Sequence, residues 1–341
     1  MYPPSGPQGP STVSRDLPPG DPSDRYDEFV APPLAPRHGK LWVQLALLAA
    51  TIVTTTVTGA CHYASFSIDF SQLGADGGGQ LGADLFSDPM FYVRGLWYSL
   101  TILAILGTHE MGHYIACLRY DVEATRPYFL PAPLPLTGTL GAFIRIKSRI
   151  PNKVALFDIG VAGPLAGFVI AVPALFIGLM LSRIDRLPED SSQLMELGEP
   201  LLFRMAAWLV WGDVAEGFSI NMHPMAFAAW FGLLATALNL FPIAQLDGGH
   251  ISYAVLGHRA TILTLIMVAG AIGLTFVSSS WIAWTVLLVA MIATMGPRHP
   301  PTLDDDHALD RGRLVLAAVA MAILVLCFTP APIGPFVTGT S

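Results

Sequence analysis

Charge is scarce in this 341-residue chain: 13% of its residues are Asp, Glu, Lys or Arg, against 53% hydrophobic. That balance, with a mean hydropathy of +0.55, excludes an ordinary soluble domain and predicts a polytopic membrane protein. Cysteine is equally sparse. Cys61, Cys117 and Cys327 are odd in number, widely spaced and embedded in or beside apolar segments, so they define no disulfide framework. No basic stripe accompanies the net charge of −7, which excludes a nucleic-acid partner. Lysine and arginine are absent altogether between residues 61 and 90, the mark of a loop on the non-cytoplasmic side.

What is present is a succession of apolar runs. Residues 1–40, rich in Pro, Gly, Ser and Asp, are expected to be a disordered cytoplasmic tail. The first run, 41–60, begins too far from Met1 for a signal peptide and reads as an uncleaved span. A tail that is acidic and Pro-rich, not Arg-rich and acid-poor, points to a bacterial cytoplasmic membrane. A bilayer core needs roughly 20 apolar residues per helix, which places about seven transmembrane helices near 41–60, 91–118, 154–181, 224–244, 260–278, 281–296 and 314–333. Segment 119–153 carries Arg119, Arg126, Arg145, Lys147, Arg149 and Lys153, and segment 297–313 carries Arg298, Arg311 and Arg313. With the N-terminus cytoplasmic, both fall on the cytoplasmic side.

Within the run Met90 to Leu118, Arg94 is the only charged residue outside the cluster His109-Glu110-Met111-Gly112-His113. On a helix, positions i and i+4 share a face, so the two imidazoles point one way with Glu110 beside the first, the arrangement that presents two zinc ligands and a general base. Random placement of 9 histidines and 7 glutamates gives roughly half a percent for one such match. Burying ionisable groups in hydrocarbon costs several kcal/mol unless they are paired or coordinated, so the cluster is a functional site by default. Catalytic zinc takes three protein ligands and keeps one position open. Asp247, after the helix break at Pro242 and before Gly248-Gly249, arrives in the same cytoplasmic half of the bilayer and can reach back to a metal; the alternative is that it caps the segment Ile251 to Gly257. Cys117, one helical turn past His113, is either a further ligand or a small buried thiol.

The order His109-Glu110-Met111-Gly112-His113, then Asn239-x-x-Pro242-x-x-x-Leu246-Asp247-Gly248, resembles the paired signature of the site-2 protease family of intramembrane zinc metalloproteases. Residues 138–144 and 157–167 are similar to the branch that includes the chloroplast members and their bacterial relatives. The resemblance covers roughly 91–258 and implies a fold, a cofactor and roles. The fold is an all-α polytopic membrane protein with a site-2 protease-like core and a short membrane-associated β element. One zinc ion per chain is bound by His109, His113 and Asp247. Glu110 is the catalytic acid/base, and Asn239 holds the scissile carbonyl or its oxyanion. The partners are the lipid bilayer and a single-span membrane protein, cleaved within or near its transmembrane segment in regulated intramembrane proteolysis. A metal transporter or non-catalytic metal-binding chaperone is the competing reading, which leaves Glu110 without a purpose.

The expected organisation is a tail (1–40), a first helix with its outer loop (41–90), a zinc protease core (91–258) and C-terminal transmembrane helices (259–341). Proline-rich 126–135 cannot be helical, and 139–146 is expected to form a strand or hairpin that either re-enters the membrane to pair with substrate or stays a plain loop. Asp158 is read as an interfacial acid paired with a cation or as part of the site. Residues 201–211 fit an interfacial helix, His250 a supporting role, and Gly163 and Gly167 close helix approach. Loop 182–223, with 42 residues, and loop 297–313, with 17, are too short for a PDZ or nucleotide-sensing domain.

Overall fold

The computed structural model describes residues 40–68, 86–188, 195–306 and 308–335. The expected disordered tail therefore lies outside the described residues, apart from Lys40. Two long helices begin the fold: α1 (Leu41–Ser67) and α2 (Pro89–Arg119). In α1 the hydroxyls of Thr51 and Thr55 donate to the carbonyls of Leu47 and Thr51 at 2.8 and 2.7 Å, so polar side chains sit in an apolar helix with their donors satisfied. Asp88 caps α2 by accepting from the Met90 amide at 2.9 Å, and Pro89 occupies the first turn, where a missing N–H costs nothing. Gly59 and Gly95 let the backbones of α1 and α2 touch, and Thr55 and Ser99 share a 2.7 Å hydrogen bond across the contact.

Between α2 and the next long helix, α3 (Lys153–Leu181), the chain forms a hairpin of β1 (Tyr128–Pro131) and β2 (Thr139–Phe143). The strands are antiparallel, with Tyr128 opposite Phe143 and Leu130 opposite Gly141. The hairpin runs lengthwise along α1. Gln44 near the start of α1 donates to the Arg126 carbonyl, whereas Thr58 bonds the Leu134 carbonyl and His62 the Leu136 carbonyl. From Gln44 to His62 a helix advances about 27 Å, close to the ~30 Å of a bilayer core. The β element is therefore a two-stranded hairpin packed along a helix of membrane length.

Asn152 caps α3 by accepting from the Ala155 amide, and Pro164 and Pro173 each remove one ladder bond inside it. Past α3 lie two further ribbons that the sequence reading did not anticipate: β3 (Arg183–Arg186) with β5 (Phe218–Asn221), and β4 (Met195–Leu197) with β6 (Ile333–Pro335). Between them α4 (Leu201–Trp211) buries Phe203, Ala206 and Ala207 and exposes Met205, Trp208 and Leu209, the amphipathic profile of the expected interfacial helix.

The chain continues through α5 (Pro224–Leu240), α6 (Asp247–Leu256), a 3₁₀ turn, α7 (Ala260–Leu274), α8 (Ser280–Met295) and α9 (Arg311–Cys327). Among the described residues, four stretches are long and apolar enough to cross a membrane: α1, α2, α3 and the continuous Asp247–Leu274. The apolar helices α5 and α8 are shorter, and α9 has 17 residues. Four boundaries differ from expectation by four residues or more: the span placed at 41–60 runs on to Ser67, and the one placed at 260–278 ends at Leu274. The span placed at 224–244 ends at Leu240, because Pro242 cannot continue the ladder, and the one placed at 314–333 ends at Cys327, after which the chain turns into β6. The core collects where α2, α3 and α5 meet, around Ile102, Ile105, Leu175, Trp230 and Leu233, each buried.

Candidate metal centre

His109 and His113 lie on α2, ten residues and about 15 Å from its end at Arg119 for the first of them. Both are buried, as is Glu110 between them. Asp247 comes from the first turn of α6. It gets there because α5 stops at Leu240 and the chain reverses within six residues, with Ala244 at a φ of 22° and with Gly248 and Gly249 pressed on the backbone of Leu240, Phe241 and Ala244. Side chains at either glycine would collide with those carbonyls.

The three donor atoms form a nearly equilateral triangle. Nε2 of His109 and Nε2 of His113 are 3.1 Å apart, and each is 3.2 Å from Oδ2 of Asp247. Two imidazoles and a carboxylate are a donor set that zinc accepts, and bonds of about 2.0–2.1 Å place tetrahedral donors roughly 3.3 Å apart. The triangle is thus one face of a tetrahedron of the right size, and the residues present fit zinc with one vertex left for water or substrate. Among the described residues, no other group of three His, Cys, Asp or Glu donors is gathered in this way.

Supporting contacts orient the donors. Nδ1 of His113 lies 2.7 Å from the Ile159 carbonyl on α3, and a carbonyl can only accept. Nδ1 therefore carries the hydrogen and Nε2 presents its lone pair to the triangle. Asn239, on the last turn of α5, places Nδ2 at 3.4 Å from the His109 Nε2. The backbone of Ile144, immediately after β2, lies beside the Glu110 carboxyl group, so the hairpin ends next to Glu110. All five residues expected at the site are thus brought to one place.

Cys117 is not among them. Fully buried, it packs with Val122 and Ile159 away from the donor triangle, so the thiolate-ligand alternative is corrected to an apolar role. Asp158 is likewise not a site residue. Arg313 at the start of α9 grips it through Nε at 2.8 Å and Nη2 at 2.7 Å, and the Tyr120 hydroxyl donates to it, so it is the cation-paired acid of the two readings. The sequence reading missed the Ile159 carbonyl, since any residue offers one, and it missed that Gly163 and Gly167 face imidazole rings as well as a neighbouring helix.

A family model described as Peptidase family M50 matches residues 97–277, more than half the chain and both halves of the triangle. The chain belongs to peptidase family M50. Its relatives include a protein named probable zinc metalloprotease EGY2, chloroplastic, of Oryza sativa subsp. indica, 29% identical over 245 residues, 71% of this chain and 44% of that protein. The EGY1 protein of Arabidopsis thaliana is 29% identical over 232 residues, 67% of this chain and 42% of the relative. The EGY2 protein of the same plant is 33% identical over 230 residues, 65% and 40% respectively. The chain thus spans less than half the length of these curated relatives, and their chloroplastic names lend no support to the expected bacterial membrane. No solved structure matches. Membership in this family, with four membrane-length helices, makes the chain a multi-pass membrane protein of a zinc metalloprotease family.

Proposed function

We propose that this M50 member is an intramembrane zinc metalloendopeptidase that hydrolyses peptide bonds within or near the transmembrane segment of another membrane protein. One observation carries the reading: the 3.1–3.2 Å triangle of His109, His113 and Asp247, assembled on apolar helices with a buried carboxylate, Glu110, next in sequence to the first ligand. The two histidines and Asp247 would hold one zinc ion, which supplies Lewis acidity, lowering the pKa of a water toward about 7 and polarising a carbonyl. Glu110 then accepts the proton of the attacking water and returns it to the leaving amine. The Asn239 amide donates to the developing oxyanion. The His113 Nδ1–H bond to Ile159 keeps the ring from turning while charge redistributes.

A helical substrate has its carbonyls locked in its own ladder and must unwind to be cut. The β hairpin supports this: β2 is bonded to β1 on one edge only, Leu140 is 69% exposed, and the strand leads directly to Glu110 through Ile144. Substrate added along β2 as an extended strand would pass its carbonyl to the metal centre. The loop charges support seven passes with the N-terminus and the centre on the cytoplasmic side. That arrangement predicts cleavage in the cytoplasmic half of the substrate's span, within a core extending over 91–258 and followed by C-terminal helices. A transporter using the same three ligands has no need of Glu110.

Glu110→Gln tests the proposal. The variant should keep its zinc and lose cleavage of a co-expressed single-span substrate by on the order of 10²- to 10⁴-fold. Undiminished cleavage by this variant would refute the mechanism.

A further inference from the structure

Asp247 reaches the triangle from a different helix than the histidines, so its position depends on where the ten-residue α6 is seated. Part of the seat is α3. At Gly160 an added Cβ would stand 2.9 Å from Cβ of His250 and 3.3 Å from the Asp247 carbonyl oxygen, so backbone of α3 and the first turn of α6 are in contact there. His250, three residues beyond Asp247 on the same helix face, completes the seat. Its Nδ1 lies 2.7 Å from Nε2 of His299, a residue in the loop between α8 and α9.

That loop grips both helices. The His299 ring stacks on Tyr253 of α6 with centroids 4.6 Å apart. The Tyr253 hydroxyl donates to the Asp305 carboxylate at 2.7 Å, and Lys153, the first residue of α3, donates to the Asp305 carbonyl at 2.6 Å. Backbone amides of Leu303 and Asp304 reach the carbonyls of Ile150 and Pro151 just before α3. Hydrogen-bond chemistry fixes the tautomers at its centre. Nδ1 of His299 faces the Pro300 carbonyl at 2.6 Å and must donate. Burial, opposed by that bond and by Asp305, holds the His299 imidazole below its ordinary pKa and favours the neutral ring. Nε2 of His299 is then an acceptor, and His250 donates to it through Nδ1.

We propose that residues 299–305 form a clamp that positions Asp247 for metal binding, with His299, acting through His250, as its positioning residue. This rests on the reading of His109, His113 and Asp247 as zinc ligands. It assigns a purpose to a loop between two apolar helices and to a histidine that neither binds metal nor contacts substrate in the proposed mechanism.

The test is zinc affinity of the full chain in detergent, by competition with a chromophoric chelator, alongside Tm with and without zinc. His299→Leu, which cannot accept a hydrogen bond, should weaken zinc binding about 10-fold, the lower end of what outer partners of metal ligands contribute. His299→Gln, which retains an acceptor, should recover most of it. In a His250→Ala background His299→Leu should add nothing further. Arg298→Ala, on the same loop but exposed, should leave affinity unchanged. Should His299→Leu fail to fold, Tyr253→Phe, which removes only the hydroxyl contact to Asp305, should shift affinity in the same direction by a smaller factor. Unchanged affinity in these variants, with Tm lowered equally in zinc-free and zinc-loaded protein, would overturn the clamp. Failure of the unaltered chain to bind zinc would instead overturn the ligand reading on which the clamp rests.

Discussion

Gly163 on α3 lies so close to His113 on α2 that a Cβ added to the glycine would stand 2.1 Å from Nε2, the atom that faces the donor triangle. The two helices approach this closely only because hydrogen occupies that position. Gly163→Ala should therefore displace the His113 ring and abolish stoichiometric zinc, although alanine favours a helix by about 1 kcal/mol over glycine. Gly270→Ala, where nothing lies within 4 Å, is the matched control and should retain zinc with equal or slightly raised Tm. Full zinc occupancy in Gly163→Ala, measured by elemental analysis, would contradict the geometry.

Metal removal should be visible as lost stability. A ligand that binds only the folded state at 100 times its Kd stabilises by about 2.7 kcal/mol. Stripping zinc with a chelator should lower Tm, and zinc should restore it. In Asp247→Ala the difference between stripped and reloaded protein should largely vanish. An undiminished difference there would place the stabilising ion elsewhere.

The hairpin makes a positional prediction. A photocrosslinker at Leu140, exposed on β2, should capture a single-span substrate in the Glu110→Gln background, whereas one at Cys117, fully buried, should not. Capture at neither, with normal turnover after proline is placed through 139–143, would remove the strand-addition reading.

Acid should weaken the fold through His223. This residue caps α5 by accepting from the Met225 amide at 3.2 Å through Nδ1, and burial pushes its pKa down to about 4. Unfolded, it titrates near 6.5, so below that pH the unfolded chain binds the proton that the folded one refuses. The contribution is fully present above about 6.5, is lost as pH falls from there toward 4, and levels off below. Thermal unfolding across that window should show the loss, and His223→Asn, a cap that does not titrate, should flatten it.

Asp158 and Arg313 hold α9 against α3 and, through Tyr120, against the end of α2. Both side chains are about three-quarters buried, so breaking the pair should cost roughly 1–3 kcal/mol, less than for a fully buried one. Arg313→Met should lower Tm by several degrees and leave zinc content unchanged. A loss of zinc would mean that α9 reaches further into the centre than its contacts show.

How much of this was legible in one dimension varies with the range of the interaction responsible. The spacing of His109 and His113 is local: a helix of 3.6 residues per turn places i and i+4 on one face whatever surrounds it. The apolar runs and the break at Pro242 are local too. Asp247 was legible as a candidate because a helix break next to two glycines can turn a side chain back, but its 3.2 Å approach to both histidines depends on how α6 is seated on α3. Nothing in a sequence says which backbone carbonyl will receive an imidazole N–H, and so Ile159 was invisible. Cys117 illustrates the limit from the other side. It shares a helical face with His113 by spacing, yet packing turned it toward Val122 and Ile159.

Periodicity, composition and motif order determined by themselves that this chain crosses a membrane and carries a zinc-type helix in its interior, because those properties depend on residues a few positions apart. The donor triangle, the hairpin's course along α1 and the grip of His299 on His250 join residues tens to more than a hundred positions apart. Only the packed helices decided them, since at that separation position is set by which surfaces fit and not by what the chain's own repeat imposes.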